Sequence, residues 1–82
     1  QEVGSTLSLA PNPAHGRSRF EAGEVVRRVE LIDANGHAVR HWEPSIGATS
    51  QELSLDGLAP GPYRVRATLP DGRVRQANLV VD

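Results

Sequence analysis

The chain contains no cysteine, so no disulfide ties the fold and no thiolate serves as nucleophile or metal ligand. Lysine is missing too: all nine basic residues are arginine, whose charge persists at any physiological pH. There is one tryptophan, one tyrosine and one phenylalanine, which is poor material for a platform on which sugar rings stack. No apolar run approaches the roughly 20 residues of a membrane-spanning helix. The opening residues lack the charged and apolar regions of a signal peptide, so an export signal is expected upstream, in a longer parent. A net charge of -1 removes the phosphate neutralisation on which nucleic-acid binding rests. The acidic residues are interspersed with the arginines, as on an ordinary solvated surface.

What is present is period-two alternation broken by turn residues. The 82 residues make one small domain, which buries about 60–65% of its unfolded surface. Residues 6–10 place Leu7 and Leu9 on one face before Pro11-Asn12-Pro13 stops the strand. Residues 17–22 alternate arginine with Ser18, Phe20 and Ala22. Residues 25–33 form the longest expected strand, with Val29 and Leu31 inward. Asn35-Gly36 then marks a hairpin in which both residues take positive φ, and residues 37–42 return from it. Residues 51–55 turn Leu53 and Leu55 inward. Tyr63, Val65, Ala67 and Leu69 share one face of the next strand, and Pro70-Asp71-Gly72 turns into residues 73–81. Val80 breaks the alternation of that last strand, which suggests cover on both sides. Seven short strands at this spacing predict an all-β, immunoglobulin-like antiparallel sandwich over residues 6–82, with a linker remnant at residues 1–5.

Chemistry-bearing side chains do not converge in this pattern. His37 and His41 share a strand face, yet four residues of strand separate them by about 13 Å, too far to share a zinc ion. His15 lies elsewhere. Asp33, Asp56 and Asp71 occupy turn positions, and no Ser-His-Asp order or nucleophile elbow is present. No catalytic residue, metal site or cofactor is expected. A different reading makes the sandwich an accessory glycan- or protein-binding module of an extracellular enzyme, with Trp42 as its contact.

The segments LSLAPNPAHG (7–16), VRRVELIDANGHAV (26–39), LSLDGLAPGPYRVRATLPDGRV (53–74) and NLVV (78–81) occur in an order and spacing that resembles the type IX secretion system C-terminal sorting domains of Bacteroidetes. The resemblance implies a non-enzymatic signal, covalently part of a larger secreted parent. It also implies as partners an outer-membrane translocon, a shuttle and a sortase. The parent would cross the outer membrane for release or cell-surface attachment, with cleavage within or upstream of residues 1–6. The positions carried over as signal residues are Pro11, Asn12, Pro13, Gly57, Leu58, Gly61, Tyr63, Gly72, Leu79, Val80 and Val81. Family members often end in a basic tail, whereas this chain ends Val-Val-Asp, so a terminal-charge mechanism does not transfer. Two physical expectations accompany the resemblance. The machinery pairs with an exposed edge of the last strand, and outward-facing Arg64, Arg66, Arg73 and Arg75 steer the encounter.

Overall fold

The computed structural model describes residues 7–82, so the expected linker and cleavage segment lie outside the described residues. Seven strands form: β1 (Ser8–Ala10), β2 (Arg17–Glu21), β3 (Arg28–Ile32), β4 (Ala38–Trp42), β5 (Ser50–Ser54), β6 (Gly61–Thr68) and β7 (Val74–Val81). They make a three-stranded sheet in the order β1-β2-β5 and a four-stranded sheet in the order β4-β3-β6-β7, with every strand pair antiparallel. This is the immunoglobulin-like sandwich that the alternation predicts. Phe20, Leu53 and Leu55 come from the first layer, and Val29, Leu31, Val65, Ala67 and Leu79 from the second. All are buried in one core. Burying each such aliphatic side chain contributes about 1.5–3 kcal/mol, enough to set the register of strands with one wet face.

Three local expectations are corrected. The longest strands are β6 and β7, of eight residues each, while β3 has five. Residues 22–27 instead cross between the sheets: the Ala22 and Val26 amides donate to Thr49 and Ala48, and the Arg27 amide donates to Thr68 in the other sheet. Val26 is buried in that crossing, so its apolar character reads as strand in the sequence. Second, Asn35 does not take positive φ. The Gly36 amide donates to the Asp33 carbonyl and Asp33 to His37, closing a three-residue loop in which Gly36 alone is left-handed, at φ 87°. The β6–β7 hairpin repeats this loop, with Gly72 donating to Leu69 and Leu69 to Arg73. Third, Val80 is 43% exposed rather than covered on both sides.

β4 carries a bulge at Val39. Leu31 faces Arg40 and Ile32 faces Ala38, which leaves Val39 as the extra, exposed residue. Pro62 is tolerated inside β6 for a related reason. Its partner Val80 turns both backbone groups away from β6, so the pair exchanges no hydrogen bonds. On the other side, β3 reaches only Arg64. The missing proline donor therefore faces no acceptor.

The registers give the domain two distinct ends. Ser8 begins β1 beside Glu21, which pairs with Ser50, and the Arg28–Thr68–Val74 row lies at the same end through the Arg27–Thr68 bond. The opposite end gathers the β1–β2 corner, the β3–β4 loop, the β5–β6 connection and the end of β7.

Candidate recognition end

At the end remote from the start of β1, the Pro-Asn-Pro corner folds onto the closing strand. Both of its X–Pro bonds are cis. The Asn12 carboxamide works as a short strand surrogate. Its Nδ2 donates to the Asn78 carbonyl at 3.0 Å, and its Oδ1 accepts from the Val80 amide at 3.1 Å. Ala14, fully buried, continues the line: its amide donates to the Val80 carbonyl at 2.8 Å, and its carbonyl accepts from the Asp82 amide at 2.9 Å. Behind the corner, buried Ser18 donates from Oγ to the Pro11 carbonyl at 3.0 Å. His15 lies 3.2 Å from the Asp82 carboxylate.

The β5–β6 connection is pinned from two sides. Tyr63, near the start of β6, donates its hydroxyl to the Ala59 carbonyl at 2.7 Å, the tyrosine corner of immunoglobulin-like sandwiches. Arg40 shares a face with buried Leu31 and reaches across to the other sheet, donating to the Ser54 carbonyl at 3.0 Å and to the Asp56 carbonyl. The neighbouring β3–β4 loop is organised by Asp33, whose Oδ1 accepts from the Asn35 and His37 amides at 2.9 Å each. Those bonds, the one from His37 foremost, hold the Asp33 carboxyl below the usual carboxylate range.

Pro11, Asn12, Pro13, Gly57, Leu58, Gly61, Tyr63, Leu79, Val80 and Val81 come together at this end, whereas Gly72 sits in the β6–β7 loop at the other. Their side chains differ in access. Pro11, Asn12, Pro13 and Val80 are exposed; Leu58 and Tyr63 are half-buried against the core; Leu79 and Val81 point into it.

The four arginines do not form one outward face, because Arg75 shares the inward side of β7 with Ala77, Leu79 and Val81 and is only 8% exposed. Its Nη2 donates to Glu24 Oε2 at 2.6 Å, and Arg73 joins the cluster with Glu24 at 3.0 Å and Asp71 at 2.7 Å. The Arg75 hydrogen bond holds the Glu24 carboxyl low, and the Arg73 amide does the same for Asp71. Asp71 in turn raises Arg73. Arg66 lies 3.7 Å from Glu30, and Arg64 forms no ion pair among the described residues.

The expectation of an open edge on the closing strand is also corrected. β7 is an edge strand, but Asn12 and Ala14 already occupy the outward backbone groups from Asn78 to Asp82. Further along, inward-pointing Arg75 is a charge of the kind that discourages strand addition, and Arg40 is its counterpart on the other edge, β4. Trp42, opposite buried Val29, packs against the core rather than standing free. Among the described residues no three His, Asp or Glu side chains assemble around a metal position.

Alternation signalled Ser18, a polar residue in phase with Phe20. Glu24 gave no signal, since its partners lie 49 and 51 residues away.

No curated protein matches the chain. Among solved structures, it is similar to CopC from Methylosinus trichosporium OB3b, with a TM-score of 0.58 at 19% identity over 94% of this chain and 92% of that one. It is also similar to part of PorZ, an essential bacterial surface component of the type-IX secretion system of Porphyromonas gingivalis. There the TM-score is 0.73 at 20% identity over 93% of this chain, which spans 11% of the PorZ chain. At these identities the likenesses show the sandwich fold. The secretion system C-terminal sorting domain family matches residues 8–81, nearly the whole chain. The chain therefore belongs to that family of non-catalytic domains, which direct the secretion of the protein carrying them through the type IX system.

Proposed function

We propose that the domain is read at the end remote from the start of β1, by an outer-membrane shuttle and translocon, and that the parent is then released or attached to the cell surface by a sortase. The observation that supports this is the gathering of Pro11, Asn12, Pro13, Gly57, Leu58, Gly61, Tyr63 and Val80 at one end of the sandwich, opposite the point where β1 begins. β1 begins at the other end, so a parent protein joined ahead of it and the reading machinery need not compete for space. Interdigitated turns and a pinned connection present a preorganised surface, which lowers the ordering cost of binding.

The two matched hairpin loops supply the test. A four-residue Gly/Ser insertion between Ala34 and Asn35 alters the reading end, and the same insertion between Asp71 and Gly72 alters the parent end. In a type IX host, a periplasmic reporter fused ahead of residues 6–82 is expected in the medium or on the surface. The Ala34–Asn35 insertion is expected to block export and the Asp71–Gly72 insertion to permit it, both with the domain folded. Equal export from the two insertions overturns the proposal.

A further inference from the structure

The outer face of the four-stranded sheet carries, near the reading end, a surface that the fold itself does not use. Pro62 lies opposite Val80, and in the next row Arg64 stands between Ile32 and Asn78. A side-chain-sized recess of about 190 Å³ opens there, lined by Ile32, Ala34, Pro62, Arg64 and Asn78 together with Asp33, Gly36 and Tyr63. Val80, on the outward-facing row of β7, leaves an aliphatic side chain 43% exposed beside it.

Charge distinguishes this recess from the rest of the closing hairpin. Arg66, Arg73 and Arg75 are each neutralised by Glu30, Asp71 or Glu24. Arg64 has no such partner among the described residues. Asp33, which also lines the recess, forms no ion pair with Arg64: its Oδ1 accepts from the Asn35 and His37 amides of its own loop, and its Oδ2 lies 3.9 Å from His37 Nδ1. An arginine fork on a solvated face, flanked by aliphatic surface, matches a carboxylate next to an apolar side chain.

We infer that Arg64, with Val80 and Pro62 beside it, is a contact for the secretion machinery, and that the segment docking there presents an acidic side chain adjacent to an aliphatic one. This rests on the reading end proposed above. The carboxylate pairs with the Arg64 guanidinium over the recess, and the aliphatic neighbour covers the Val80–Pro62 strip. Of the four arginines of the hairpin, only Arg64 then acts in recognition.

Export of the same reporter fusion tests this, with thermal melting of each purified domain as the check on folding. Arg64→Glu is expected to lower export about tenfold, since a like charge now faces the partner. Arg64→Gln should lower it less, Arg64→Lys, which keeps the charge but loses the fork, should fall between Arg64→Gln and the wild type, and all three should melt like the wild type. Arg27→Glu makes the same charge change on an exposed arginine at the other end and should export normally. Export at wild-type level from both Arg64→Glu and Arg64→Gln overturns the inference, as does an equal loss from Arg27→Glu, which would mark a general charge effect. If the Ala34–Asn35 insertion blocks export while the Arg64 variants do not, the Arg64 contact is wrong and the reading end stands. If that insertion is tolerated, the reading end itself is wrong.

Discussion

Replacing Asn12 isolates what the Pro-Asn-Pro corner does for the closing strand. In Asn12→Ala, the Asn78 carbonyl and the Val80 amide each lose a partner, at 3.0 and 3.1 Å. A hydrogen bond of this kind contributes roughly 0.5–1.5 kcal/mol net, and both sites lie where water can partly replace the loss. The sum is about 1–2 kcal/mol, which in a domain of this size lowers Tm by roughly 4–16 °C. Native-state hydrogen exchange reads the same event locally. The Val80 amide should exchange about tenfold faster, while the Asp82 amide, held by the Ala14 carbonyl, should change less. Asn12→Asp sharpens the argument. The carboxylate still accepts from Val80 but turns a second acceptor toward the Asn78 carbonyl. It should therefore recover only the Val80 half of the contact, and lose more stability than a substitution that kept both bonds. A Val80 amide that keeps its protection in Asn12→Ala, with Tm unmoved, would refute the role of Asn12 as a strand surrogate.

Tyr63→Phe removes the 2.7 Å bond to the Ala59 carbonyl and should cost about 1 kcal/mol, seen as a lower urea midpoint with an unchanged slope. Leu79→Ala opens the core beneath the signal and should cost about 2–5 kcal/mol, a large share of a small domain's stability; a midpoint within error of wild type would contradict its full burial. The carboxyls of Glu24, Asp33 and Asp71 all titrate below their ordinary values in the folded state. Each therefore adds stability that is fully present above the unfolded carboxylate range near pH 4 and is lost as pH falls through the lowered folded values. Urea midpoints should stay level from about pH 7 to pH 5 and fall below about pH 4, with a shallower fall in Glu24→Gln; midpoints that rise on acidification would be inconsistent with this. Replacing Arg40 and Arg75 together by Leu removes the inward charge from both edges of the four-stranded sheet, so sedimentation should reveal stronger concentration-dependent association than in the wild type.

Much of this architecture is legible because period-two burial leaves a direct mark. The inward positions of Ser18, Phe20, Val29, Leu31, Leu53, Val65 and Ala67 follow from alternation alone. Alternation fails where the chain changes sheets, at residues 22–27, since a crossing that buries Val26 is as apolar as a strand. It also fails at Val39, because a bulge shifts phase without any mark in composition. Asn-Gly names a turn, yet its three-residue form is set by Asp33 gathering two amides, a contact across the loop. The candidate site divides along the same line. Motif order marks the residues of the reading end, but it does not separate those that face solvent, such as Val80, from those inside the core, such as Leu79. Nor does it reveal the pairing of Arg75 with Glu24, a contact 51 residues apart.

The Asn12–Val80 contact joins the first corner of the domain to its last strand, across 68 residues of sequence. Translation delivers those two segments at opposite ends of the domain's synthesis, so the contact forms only once β7 has been made. A chain truncated before Val80, or one whose sheets have not yet met, lacks it, and the Pro11–Pro13 corner then has no strand to rest on. The contact thereby makes the reading surface a report on completion: the end of the molecule proposed to be recognised exists only in a domain that is whole and folded.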